Sequence, residues 1–414
     1  MVSISNIIFY IFIFLTVYAQ VFLLVTFLEN RKRILIRKGR TFLLDYPEVT
    51  VIVPAFNEEK NLKKTVNSLL NLNYHKHRVK IILVDDGSTD NTWKVMQEFS
   101  VFPNIRLMQK RNGGKYTALN LGLESVETPF VGCMDADSVA DPDALVRIMS
   151  YFEKDPELMA VTPSLITHQP KTLVQKAQKM EYLMSVYFKK MLGILSAIHV
   201  APGPLTIFRK KVFEELGPYR HAHNTEDMEI AYRMQKNNYK IEHCNDAYVY
   251  TGTPSTIGKL FRQRLRWIYG FLNNTLDYRD VLFKKKYGNF SFFTLPAGVV
   301  SVVGVTYLLG RLLYSLGDFV FNKISHYQLV GFNFGTALRQ FDVFFLSTKS
   351  FIFLEILIFG LVIFSMLLGA KMVEGKWKFS AKIFYYLAIF SAVAPLWLVK
   401  AIWNTLLSKR PAWR

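Results

Sequence analysis

In the segment TPFVGCMDADS, an apolar run breaks off into two carboxylates, Asp135 and Asp137, placed two residues apart. Oxygen donors in this D-x-D arrangement suit a hard divalent cation, and they leave coordination positions free for a diphosphate. Lys115, which follows Gly113 and Gly114, can add a point charge to the same anion. Further along, NTEDMEIAYRMQ places Glu226 and Asp227 at the start of an amphipathic helix. Asp227 there can act as a general base toward an attacking hydroxyl. After it, FRQRLRW gathers Arg262, Gln263, Arg264, Arg266 and Trp267. Taken singly, each motif also reads as a turn or a helix cap.

Several polar segments favour a site once the elements that carry them are placed. Short β-rich runs, VTVIVPAF, VKIILVDD, NIRLMQK and PFVGCMDAD, alternate with helical stretches around residues 58–70, 91–99, 115–125 and 142–152. That alternation predicts a parallel sheet with helices on both faces. Ligands of such sheets bind beyond the carboxyl ends of the strands, at a topological switch point. These ends read PAFNEE, DDGSTDN, QKRNGGK and DADS, so the polar residues converge on one sheet edge. No dinucleotide glycine pattern or P-loop accompanies them, which disfavours a Rossmann dehydrogenase or a P-loop ATPase.

Around this middle the composition changes. Of 414 residues 51% are hydrophobic, with 34 Phe gathered at the N-terminus and after about Phe290. Ile7 to Leu28 is long enough to cross a bilayer and is read as an anchor. The basic segment ENRKRILIRKGR follows, which by the positive-inside rule puts the next domain in the cytoplasm. Three further candidate spans are Phe290 to Phe321, Phe351 to Ala370 and Ile383 to Leu407. Four crossings would place the basic tail SKRPAWR outside, against the same rule, unless one segment is interfacial or re-entrant or the long third stretch crosses twice. Pro395 marks the last run as the irregular one.

The net charge of +19 flanks the apolar runs and two amphipathic stretches, KTLVQKAQKMEYLMSVYFKKMLGIL and TIGKLFRQRLRWIYGFL. Those stretches suit helices lying on an anionic membrane face. The charge gathers beside no helix-turn-helix pattern or stacking platform, so no nucleic acid partner is expected. Cys133 and Cys244 are expected as small buried residues, and His221 and His223 as loop polar residues. Arg311 and Glu355 fall inside separate spans, where they are expected to face the bundle interior, paired or lining a polar path.

Taken in order, PAFNEE, VDDGSTD, DAD, TED and the Q-x-x-R-W match Gln263 to Trp267 resemble the membrane-integrated processive inverting glycosyltransferases. That family includes the cellulose, chitin, hyaluronan and poly-N-acetylglucosamine synthases. The resemblance covers about Tyr46 to Leu276, and it implies an α/β GT-A (Rossmann-like) cytoplasmic domain between transmembrane helices, with amphipathic interface helices. The implied organisation is an anchor over 1–30, a basic linker over 31–45, the catalytic domain over 46–253, an interface helix over 254–289 and a membrane region over 290–414.

Carried onto this chain, the resemblance implies that Asn57, Glu58 and Asp86 line a uridine pocket and that Lys115 lies near the diphosphate. Asp135 would contact the nucleotide sugar, with Asp137, and Asp135 beside it, at Mg²⁺ or Mn²⁺. Asp227 would be the catalytic base, with Glu226 next to it in the substrate site, while Gln263 and Arg266 clamp the donor and Trp267 stacks under the acceptor sugar. The segment from Pro202, PGPLTIFRK, resembles an acceptor-side segment, although Ala201 and Pro202 stand where the family usually has Cys or Ser before the Gly-Pro.

The implied function is transfer from a UDP-sugar, with UDP-N-acetylglucosamine expected, to a growing β-linked polysaccharide at the lipid bilayer, with export. A partner subunit or a homo-oligomer stays open. The alternatives are a non-processive transferase that adds one sugar to a lipid, and a transporter with an inactive nucleotide-sugar domain. The latter needs broken carboxylates, yet Asp135, Asp137 and Asp227 are intact.

Overall fold

The computed structural model describes residues 4–35, 41–330 and 348–411. The chain enters through helix α1 (Ile4–Leu35) and then builds an eight-stranded sheet. Its strands are β1 (Val49–Ala55), β2 (Val79–Asp85), β3 (Ile105–Gln109), β4 (Phe130–Cys133), β5 (Ser138–Ala140), β6 (Leu158–Thr167), β7 (Ile207–Arg209) and β8 (Lys240–Thr251). The spatial order is β3-β2-β1-β4-β7-β6-β8-β5. β1, β2, β3 and β4 are mutually parallel, as expected from the alternating pattern. The rest departs from that expectation: β7 runs antiparallel to β4 and β6, and β5 antiparallel to β8. Strands as short as β5 and β7 carry too few residues to show a period.

The helices of this half are α2 (Leu62–Leu70), α3 (Thr92–Gln97), α4 (Lys115–Leu123) and α5 (Ala144–Lys154). The first three fall inside the expected stretches, and α5 runs two residues past the expected 142–152. Every residue of β1 is buried. Because side chains alternate along a strand, Val49, Val51 and Val53 join Leu62, Leu145 and Ile148 in one core. Ile52 joins Leu119, Tyr187 and Ile230 in the core on the other face.

That second core runs outward through α6 (Leu173–Ile194), α7 (Lys211–Leu216), α8 (Glu226–Lys236) and α9 (Ile257–Asp277) to membrane-type helices. α6 begins with a capping box, Thr172 with Gln175, and α9 is capped by Thr256. Then come α10 (Leu295–Val330), α11 (Thr348–Glu374) and α12 (Lys382–Leu406). Among the described residues four helices are long and apolar enough to cross a membrane, within α1, the Phe290–Asn322 stretch, α11 and α12.

One expectation changes. α6 does not keep its lysines on an outer face: Lys190 is buried and donates to Glu242 at 3.1 Å and to the His243 carbonyl at 3.0 Å. Arg311 donates to the Asn6 side chain at 2.7 Å and lies over the Phe9 ring, both near the start of α1. The side chain of Glu355 lies outside the described residues.

Candidate active site

The order β3-β2-β1-β4 reverses direction between β1 and β4, so a crevice opens beyond their carboxyl ends. Asn57 and Glu58 leave β1 there, and Asp135 and Asp137 leave β4. Asn57 takes a left-handed conformation, φ 55°, which Asn tolerates better than most residues. Its side-chain oxygen accepts the Thr89 N–H at 2.8 Å, and the Glu58 N–H donates to Thr92 Oγ1 at 2.8 Å. The loop after β1 is thereby stitched to the loop after β2.

Asp86 is buried, and its carboxylate is already engaged. It accepts the N–H groups of Gly113 at 3.1 Å and Gly114 at 2.9 Å, and Lys110 Nζ at 2.8 Å. The work of Asp86 is therefore to fix the turn that starts α4, and so to place Lys115.

Lys115 Nζ lies 2.6 Å from Asp135 Oδ1 and 3.4 Å from Glu226 Oε1. Burial lowers the lysine pKa, but Asp135 and Glu226 outweigh it and hold the ammonium well above the usual lysine range. A Cβ at Gly203 would stand 2.7 Å from both Asp135 Oδ1 and Lys115 Nζ, so a side chain there would have to push the ends of this ion pair aside. The PGP segment thus packs against Asp135 and Lys115.

Asp137 opens toward the cleft while sitting deep among protein atoms. That environment first, then the charges of Asp135 and Glu58, push its carboxyl up to about 6. Asp227 lies in the first turn of α8, its carbonyl accepting the Ala201 N–H at 3.0 Å. Burial and the Glu226 charge push its carboxyl up to about 6, against the pull of Lys115 and Arg266. A carboxylate tuned upward in this way is a better proton acceptor near neutral pH.

α9 holds the turn before Asp227 from behind. Arg266 donates to the Asn224 carbonyl at 2.7 Å, and Asn274 donates to Thr225 Oγ1 at 2.9 Å. A Cβ at Gly270 would come within 2.4 Å of the Thr225 side chain. Gln263 and Trp267 are tied instead to Arg264, which donates to Gln263 at 3.0 Å, stacks over the Trp267 ring at 4.0 Å and bridges to Glu181 on α6.

The structure therefore brings Glu58, Lys115, Asp135, Asp137, Glu226, Asp227 and Arg266 into one electrostatic neighbourhood. His223 is not part of it, since it bonds Asp277 at 2.8 Å, and His221 meets the Tyr116 ring. Cys133 and Cys244 are buried and not joined in a disulfide, as expected. Sequence reading missed Lys189, whose ammonium burial pushes down to about 8 while Asp227 pulls it back up. It missed His199 too, lowered to about 4 by burial and then by Lys189. Neither sits in a motif, and only the folded packing of α6 against the α8 turn reveals them.

Residues 50–217 match the family model described as Glycosyl transferase family 2. The chain is 27% identical over 318 residues to the poly-beta-1,6-N-acetyl-D-glucosamine synthase of Staphylococcus epidermidis, spanning 76% of this chain and 74% of the relative. The enzyme of that name from Staphylococcus aureus (strain COL) is 30% identical over 226 residues, 54% of each chain. A mannosyltransferase from Pyrobaculum calidifontis, solved with GDP-Man and Mn2+, superposes with a TM-score of 0.61 at 18% identity, covering 97% of this chain and 99% of that one. That likeness shows a shared GT-A fold. The central domain is a family 2 glycosyl transferase domain, and the chain is a glycosyltransferase.

Proposed function

We propose that this family 2 glycosyltransferase is an inverting, processive polysaccharide synthase that takes a UDP-sugar, UDP-N-acetylglucosamine first among them, on the cytoplasmic face of the cell membrane. The 27% identity to a poly-beta-1,6-N-acetyl-D-glucosamine synthase over about three quarters of both chains supports the polymer and the donor. The basic residues Arg31, Lys32 and Arg33 at the end of α1 support the cytoplasmic side. The observation that carries the chemistry is Asp227, poised at the start of α8 across from the Lys115 and Asp135 pair.

In this reading Asp227 accepts the proton of the acceptor hydroxyl as its oxygen forms a bond to the anomeric carbon. The bond from that carbon to the diphosphate breaks on the opposite face, and UDP leaves with the electron pair. Lys115 stabilises the developing charge, while Arg266 fixes the turn that aims Asp227. Asn57 and Glu58, at the end of β1, border the nucleotide, and Trp267 borders the acceptor.

A divalent cation fits the site on its chemistry. Asp137 is an accessible oxygen donor whose charge is disfavoured by its neighbours, as befits a group awaiting a cation. No cluster of three protein ligands is spaced for a metal among the described residues, so Asp135 and Asp137 would share an Mg²⁺ or Mn²⁺ with the diphosphate. When bound, the ion would neutralise the leaving group.

The test offers labelled UDP-sugars with Mg²⁺ or Mn²⁺ to detergent-purified wild type and Asp227→Asn. UDP release and product size are followed. Long polymer from one donor, lost in the variant, is expected. Short or lipid-linked product would overturn processivity.

A further inference from the structure

We propose that α12 does not cross the bilayer but lies along its catalytic-side surface, leaving three crossings and placing the C-terminal tail on the same side as the catalytic domain. At the beginning of α12, Ile383 packs with Met180 and Leu183 of α6. Lys382 shares the charge neighbourhood of Lys176, Lys179 and Glu374. In its middle, the Trp397 ring meets Phe261 of α9 with centroids 6.4 Å apart. At its end, Asn273 of α9 donates to Thr405 at 3.2 Å. Beyond the end, Arg410 lines a cavity of about 640 Å³ with His221, His223, Glu229 and Asp277.

Apart from Glu374 at the end of α11, these partners belong to α6, α8, α9 or the loop before α8, and those elements are fastened to the catalytic domain. Lys190 ties α6 to β8, and Asn274 ties α9 to the Thr225 turn. A helix whose start, middle and end all touch one domain cannot have its ends on opposite sides of a membrane.

α1 and α10 behave differently. Phe22 of α1 meets Phe293, in the turn just before α10 and near the domain, with rings 4.8 Å apart. The helices meet again at Ser5, at the start of α1, and Tyr307 of α10, where the hydroxyls are 2.8 Å apart. At 1.5 Å per residue the distance between these contacts is roughly 20 Å. This antiparallel pair leads away from the domain, as crossing helices do.

The surface of α12 facing away from α6 and α9 fits a lipid surface. Phe384, Leu396, Val399, Trp403 and Leu406 are exposed, while Lys400, Lys409 and Arg410 bring cations to the level of the headgroups. An apolar face beside basic groups suits the boundary between acyl chains and anionic headgroups. The count also agrees with charge: three crossings keep the lysine loop before α12 and the basic tail on the side of Arg31 to Arg33, whereas four would not.

The test needs no turnover, so it stands apart from the polysaccharide reading. Cys133 and Cys244 are buried, so the unaltered chain is a quiet background for a membrane-impermeant maleimide. Ser408→Cys, Lys409→Cys and the catalytic-domain marker Lys63→Cys are labelled in intact cells and in inverted vesicles. All three are expected to react only in inverted vesicles, and tail cysteines reacting from the side opposite Lys63→Cys would overturn the proposal. A bimane on Ala392→Cys, midway along α12, then reports depth. Stronger quenching by headgroup-level than by chain-end quencher lipids is expected, and the reverse order would overturn it.

Discussion

On the donor side of the cleft, Asn57, Asp86 and Asp135 are held by contacts made within or between neighbouring strand ends: backbone N–H groups, hydroxyls and one lysine. On the other side, the turn that carries Asp227 is held by side chains of α9, a helix whose far face touches α12. The first region is anchored in the sheet and is locally self-sufficient. The second depends on a helix that also answers to the membrane layer. Damage to the first should therefore show in donor binding, and damage to the second in turnover.

Asp227→Asn tests the second region most directly: turnover should fall by about 10²–10⁴-fold, with donor affinity from calorimetry nearly unchanged. Gly270→Ala should come next. Its methyl would have to displace Thr225, and a misplacement of roughly 1 Å costs about 10²-fold in turnover. If that variant instead raised donor KM at constant kcat, the division between the two regions would fail.

Lys115→Met should affect both quantities. It leaves Asp135 and Glu226 without their shared cation and the leaving group without its counter-charge, so donor binding should weaken, turnover should fall with it, and thermal stability in detergent should drop by on the order of 3 kcal/mol.

The pH profile gives a smaller effect. Asp227 has its pKa raised to about 6, so its base form is present above that pH and is lost as pH falls through it. The rate should drop about tenfold per unit below the pKa, measured as kcat/KM, which reports the free enzyme. The surface pair Lys63 and Glu98, both mostly exposed, marks the floor: Lys63→Ala should change stability by less than about 0.5 kcal/mol.

The same division separates what could be read from the sequence from what could not. β1, β2, β4 and the helices between them were legible because each strand is apolar and ends in its own polar cluster. Asp135, Asp137 and Asp227 were legible for the same reason, since their motifs are local. β5 and β7, three residues each, were not, because their pairing is fixed by partners far along the chain. Lys190 reads as one more lysine in a basic stretch, and only the folded position of Glu242 explains its burial. Asp86 and Arg266, expected at the ligand, also hold the turns before Lys115 and Asp227, through hydrogen bonds to backbone groups that no motif encodes.

The close approach of Gly203 to Asp135 and Lys115 bears on any effort to change donor choice by redesign. A methyl group at position 203 would meet the ends of Asp135 and Lys115 and push them aside before it could touch a sugar. A library aimed at the donor pocket should leave this glycine fixed, because a change there acts on the counter-charge rather than on the sugar.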